Sequence, residues 1–131
     1  MSAYLKLFPL HKRYCRFIDD RLFCPHPGAI LASTCLEVSQ DYRIYAQISG
    51  IFEEYGQPII KPVELPNSVC ITVPWYYADK MADKNGNALT CVSVKMLLKI
   101  RLPDDVDCMV KAAFGYLMAL PEDSAVILWW H

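Results

Sequence analysis

The chain reads as an α+β fold, an antiparallel β-sheet of four to five strands packed with two α-helices in a single domain. Three observations predict it. Nine prolines and several turn clusters divide the 131 residues into short apolar runs of strand character. Two longer segments repeat their apolar residues at steps of three and four, the helical period. The repeated strand–helix–strand units of a parallel sheet are missing, because only one candidate crossover occurs.

The first element is a short strand over 4–8, stopped by Pro9. Residues 9–35 form an irregular N-terminal segment that mixes His11-Lys12-Arg13 and Arg16 with aromatics and ends in the turn Cys24-Pro25-His26-Pro27-Gly28. An apolar stretch over 29–38 is a candidate strand. From 41 to 55, Tyr42, Ile44, Tyr45, Ile48, Ile51, Phe52 and Tyr55 follow the helical period. Ser39 is placed to cap that helix, Gly56 suits its C-terminal turn, and Pro58 bars continuation. Gly50 and the β-branched residues leave a strand open as the alternative.

Val69-Cys70-Ile71-Thr72-Val73 is β-branched and reads as a strand. Asn85-Gly86 fits a type I′ hairpin turn. Over 88–102 the residues Val92, Val94, Met96, Leu98 and Ile100 alternate with Ser93, Lys95, Leu97, Lys99 and Arg101. A period of two predicts a strand with an apolar face and a face bearing three cations. Pro103-Asp104-Asp105 then opens a second helix, whose buried stripe is Val106, Met109, Val110, Ala113, Phe114, Leu117 and Met118. Pro121 ends it, and 125–130 forms the last strand. Ile127 and Trp129 share one face of it and are assigned to the core, which leaves Trp130 on the other as a candidate partner or membrane anchor.

Composition narrows the function classes. Hydrophobic residues make up 54% of the chain, above the roughly 45–50% of ordinary soluble domains. That suffices for a core and leaves apolar surface for a neighbour. Thirteen Lys and Arg oppose 14 Asp and Glu, a net charge of −1, so non-specific nucleic-acid binding does not follow from overall charge. No apolar run approaches the roughly 20 residues of a membrane-spanning helix. The six cysteines, without a signal peptide at the start, are expected to be free buried thiols in a reducing, intracellular compartment.

Catalytic motifs are missing. No His-Glu-x-x-His, Gly-x-Ser-x-Gly, Walker or dinucleotide-binding pattern occurs, and Asp19-Asp20, Glu53-Glu54 and Asp104-Asp105 are adjacent pairs whose side chains diverge. Cys24 and His26 are the one sequence-local nucleophile–base pair. Cys15, Cys24, His26 and Cys35 have the ligand types of a Cys3His zinc site, but lack its two short ligand pairs. The expectation is a protein without enzymatic activity, cofactor or metal. Two basic groups, Lys95, Lys99 and Arg101 on the predicted strand and Lys12, Arg13 and Arg16 near the N-terminus, are candidates for membrane or nucleic-acid contact.

The run from Val92 to Arg101, followed by a helix with Val110-Lys111-Ala112-Ala113, resembles a segment of rhabdovirus matrix proteins. There a strand with a Val-Lys-Met core leads into a helix carrying small alanines, and the short chain also resembles bornavirus matrix proteins. The resemblance covers residues 92–117. It implies a viral matrix-type structural protein that self-associates as a homo-oligomer and bridges the inner leaflet of the envelope to the nucleocapsid. Lys95, Lys99 and Arg101 would then meet lipid phosphate, nucleoprotein or RNA. The alternative expectation is a small intracellular accessory module that binds another protein through its surplus apolar surface.

Overall fold

A computed structural model of the chain describes residues 4–25, 28–32, 34–66, 69–73, 78–80, 86 and 88–130. Its centre is a five-stranded antiparallel sheet. The strands run in the order β5 (Leu36–Val38), β1 (Leu5–Pro9), β10 (Ala125–Trp130), β9 (Thr90–Ser93) and β6 (Val63–Glu64). The first and last strands of the chain pair in the middle, from Leu5 opposite Trp130 to Pro9 opposite Val126. Two smaller sheets accompany them. One is the hairpin of β2 (Arg16–Ile18) and β3 (Arg21–Phe23); the other contains β4 (Gly28–Leu31), β7 (Val69–Val73) and β8 (Ala78–Lys80). The α+β class is therefore as the sequence predicts, with one parallel pair, β4 with β7, added to it.

Both faces of the central sheet are buried, and this explains why 125–130 is apolar without interruption. Val126 and Leu128 enter one core cluster with Leu5, Leu7 and Val92, and Trp130 packs against it. Ala125, Ile127 and Trp129 enter a second cluster with Phe8, Cys91, Ile30 and Ile71. The first cluster is closed by a helical layer: α1 (Tyr42–Tyr45), a kinked 3-10 segment (Gly50–Tyr55), α2 (Val94–Leu97) and α3 (Cys108–Met118). The second lies between the central sheet and the two small ones.

Several elements differ from the sequence expectation. The strand predicted over 88–102 ends at Ser93, and Val94 begins α2. Ala125 is the first residue of β10 and lies opposite Ser93. Beyond that point Val94 N–H donates to the Ser124 carbonyl and Lys95 N–H to the Glu122 carbonyl, both at 3.0 Å, so the partner is the 121–124 turn and no longer a strand. The chain turns instead: the Ser93 hydroxyl accepts the Met96 N–H at 3.1 Å as an N-cap. Val94, Leu97 and Ile100 become the buried residues, at steps of three. The face carrying Lys95, Lys99 and Arg101 on one strand does not form.

The segment 41–55 is not one helix. α1 is a single turn capped by Asp41 rather than Ser39, and Phe52 within the 3-10 segment has non-helical angles (φ −109°, ψ 25°). The break lets Tyr45 and Phe52 both join the first core cluster. Of the second predicted helix, 103–106 forms a preceding turn, closed by Val106 N–H to the Pro103 carbonyl at 3.1 Å. Helix α3 starts after Asp107, whose carboxylate accepts the Met109 N–H at 2.7 Å. Its buried residues are Val110, Ala113, Phe114 and Leu117, whereas Met109 and Met118 are each 71% exposed and leave the predicted stripe.

The stretch over 29–38 contains the end of β4 and all of β5, which belong to different sheets. The segment 9–35 holds an ordered hairpin. Asp19 and Asp20 sit between Ile18 and Arg21 with φ of 48° and 63°, the positive pair a two-residue type I′ turn requires. Asn85, and with it the predicted turn at Asn85-Gly86, lies outside the described residues.

Candidate functional site

Among the described residues β5 is an edge strand, paired through Leu36 and Val38 to Leu7 and Leu5 of β1 on one side only. Helix α3 packs next to it. Between the two runs a groove of about 530 Å³, walled by Cys35, Leu36, Glu37 and Ser39 on the strand side and by Asp107, Met109, Ala112, Ala113 and Tyr116 on the helix side. Beyond Tyr116 a second cavity of about 310 Å³ continues toward Leu10, Arg13, Tyr14 and Leu31. Tyr116 lines both, so the two form neighbouring compartments along one flank of α3.

The local sequence explains the groove. Helix α3 buries one stripe and exposes Cys108, Met109, Lys111, Ala112, Gly115, Tyr116 and Met118. An exposed face of an 11-residue helix would ordinarily be rich in charge; here Lys111 is its single charged residue. Small side chains at Ala112 and Ala113 keep the wall low, while Met109 and Tyr116 rise at either side. Flexible, polarisable methionines adapt to irregular apolar contacts.

The groove is mildly acidic. The Glu37 side chain is 75% exposed and reaches only 3.9 Å from Lys6 Nζ, and Asp107 stands at the other wall. Burial pushes the Cys35 thiol pKa up, with the Lys6 charge acting against the shift and Glu37 adding to it. A thiol held protonated in this way is a poor nucleophile. The groove thus offers mostly apolar contacts together with the carboxylates of Glu37 and Asp107.

A hydrogen-bonded clamp positions α3. Gln47 accepts the Arg101 N–H and donates to the Arg101 carbonyl, both at 2.9 Å. Arg43 binds Asp41 at 2.8 Å and Asp105 at 2.7 Å. The hydrogen bonds from Arg43 hold the Asp41 carboxyl below its usual pKa. Together these bonds tie Arg101 and Asp105 of the connection that precedes α3 to Gln47 and Arg43.

The residues proposed from sequence are dispersed. Lys95 lies on α2, with Lys99 and Arg101 in the connection after it; all three are exposed. Lys12 pairs with Asp123 at 3.3 Å, and the Arg13 guanidinium lies 4.9 Å over the Tyr14 ring. Arg16 is exposed on β2. Trp130 is half-buried in an edge-to-face contact with Tyr45 at 5.1 Å and also meets Phe52 at 5.8 Å, which places its ring against the core instead of outward.

The cysteines also depart from expectation. Cys15 and Cys24 form a disulfide across the β2–β3 hairpin, while Cys35, Cys70, Cys91 and Cys108 are free and Cys108 is exposed. Paired with each other, Cys15 and Cys24 supply no thiolates to the proposed Cys15, Cys24, His26 and Cys35 zinc set, and Cys24 is no nucleophile. His26 lies outside the described residues. Sequence reading missed the groove because edge strands are defined by which partner is absent, and that is a tertiary property. The available signal was Met109, an apolar residue that widens the helical stripe beyond one face and lines the groove. No protein-family model matches the chain, and no curated protein or solved structure is significantly similar to it.

Proposed function

We propose that this chain is a non-enzymatic protein-binding module that works through the groove between β5 and α3. One observation carries the reading: an unpaired sheet edge and an almost uncharged, exposed helix face converge on a single cavity of about 530 Å³. Pockets of roughly 300–1,000 Å³ are of the size that ligands fill. The test is selection of binders from a displayed random-peptide library on the full chain, repeated on Ala112→Arg. Ala112 is exposed, so arginine fills the groove without disturbing the core. Peptides retained by the native chain and lost by the variant support the reading; peptides retained equally by both refute it.

A second reading keeps the matrix-type role, with self-association at an anionic surface. Lys95, Lys99 and Arg101 favour it, since all are exposed and none takes part in an ion pair among the described residues. Each basic residue near such a surface contributes about 1 kcal/mol. Co-sedimentation with phosphatidylserine vesicles, lost in the triple variant with all three changed to glutamine, is the expected outcome of that reading. Native protein that stays in the supernatant at low salt counts against it.

A further inference from the structure

We infer that the occupant of the groove is an extended peptide segment that adds as a sixth strand along β5, with a cationic side chain beside Glu37. This occupant deepens the binding-module reading and rests on it.

The register decides which backbone groups are offered. Leu10 N–H donates to the Ala125 carbonyl at 2.9 Å, which sets the alternation along β1: Lys6 and Phe8 turn their backbone toward β10, Leu5 and Leu7 toward β5. The Tyr45 hydroxyl between Leu5 N–H and the Val38 carbonyl agrees with that parity. On β5, therefore, Leu36 and Val38 face β1, and the N–H and C=O of Glu37 point away from the sheet. Among the described residues neither group has a hydrogen-bond partner. An unpaired edge of this kind is a template for another strand.

Charge selects between occupants. A second copy pairing antiparallel on β5 in the register centred on Glu37 would set that residue opposite its own counterpart, and like charges directly opposite are destabilising. A segment with Lys or Arg at that position finds Glu37 exposed and only loosely paired, at 3.9 Å, with Lys6. Its neighbouring apolar side chain fits the depression above Ala112, between Met109 and Tyr116.

The experiment uses peptides enriched from a displayed random dodecapeptide library, titrated against the full native chain, Ala112→Arg, Glu37→Pro and Glu37→Lys. Proline is tolerated on an edge strand when its missing N–H faces outward, so Glu37→Pro removes the offered donor and leaves the sheet paired. The expected results are peptides with alternating apolar residues and a cation, binding weakened about tenfold or more by Glu37→Pro, a preference for acidic peptides in Glu37→Lys, and slowed hydrogen exchange at the Glu37 amide on binding to the native chain. Binding lost in Ala112→Arg but unchanged in Glu37→Pro, with no slowing at that amide, overturns strand addition and leaves the groove reading standing. Binding indifferent to Ala112→Arg defeats both. Native chain that dimerises with rising concentration through an interface abolished by Glu37→Pro makes a second copy the occupant and overturns the peptide.

Discussion

The Tyr45 hydroxyl donates a 2.6 Å hydrogen bond to the Val38 carbonyl and so stands in the ladder between β5 and β1. The same oxygen accepts the Leu5 N–H at 3.1 Å. A residue of the helical layer thus occupies a rung of the sheet, and the edge strand that borders the groove is held by a side chain as well as by its neighbour.

Replacement of Tyr45 by phenylalanine leaves Leu5 N–H and the Val38 carbonyl buried without that partner. Unsatisfied buried groups cost about 1–3 kcal/mol each. The expected result is a fall in urea midpoint with unchanged slope, together with faster hydrogen exchange along 36–38. Equal exchange in both proteins contradicts the assigned rung.

Alkaline pH has a predicted sign. Burial pushes the Tyr45 phenol and the Cys91 thiol each up to about 12, from 10.0 and 9.0 respectively. A group whose folded pKa is raised stabilises the fold fully below its unfolded pKa and loses that contribution as pH rises through the folded value. Stability is therefore expected to hold to about pH 9 and to fall progressively toward 12. Urea midpoints at pH 8, 10 and 11 check this, and Tyr45→Phe combined with Cys91→Ala is expected to flatten the decline. At the acid end Asp41, lowered chiefly by its hydrogen bond from Arg43, stabilises above the ordinary aspartate pKa and ceases to do so as pH falls through its depressed value.

Thiol reactivity is ordered by exposure. Cys108 is exposed, Cys35 and Cys70 are partly buried, and Cys91 is buried with its raised pKa. Iodoacetamide on the native chain, followed by intact mass and peptide mapping, is expected to label Cys108 first and Cys91 last. Denaturant without reductant should give four labelled cysteines, and reductant should give all six. Closing the nine-residue separation between Cys15 and Cys24 contributes about 2–3 kcal/mol by chain entropy, so reduction is expected to lower the melting temperature. Six labels without reductant would remove the disulfide.

Ser93 is the point at which strand becomes helix, and its hydroxyl caps the turn that follows. Loss of an N-cap side chain costs about 1 kcal/mol. Ser93→Ala is expected to lower the unfolding free energy by that amount, with Ser93→Asn costing less. A variant as stable as the native chain would show that the turn at 94–97 is held by packing alone.

The outline of the fold was legible because some segments depend only on near neighbours. The β-branched run at 69–73 and the apolar run at 125–130 form strands as their composition demands. The core of α3 follows its apolar period at Val110, Ala113, Phe114 and Leu117. The candidate site was not legible. Lys95, Lys99 and Arg101 looked collinear only so long as the strand ran past Ser93, and Leu97, placed by that alternation on the cationic face, is fully buried. Trp130, read as the outward ring of the last strand, meets a second covered face because helices close over it.

What the amino-acid order determined by itself was the class of the fold and the position of its most apolar strands and its longest helix, since residue spacing and turn chemistry act within a few positions. Tertiary structure decided where a strand stops, which strand becomes an edge and which apolar residues stay outside. The physical reason is partner supply. β10 begins opposite Ser93, so past that residue the backbone of Val94 and Lys95 bonds to the 121–124 turn instead of a strand and the chain turns helical. β5, among the described residues, has a neighbour on one side only and leaves Glu37 at the groove.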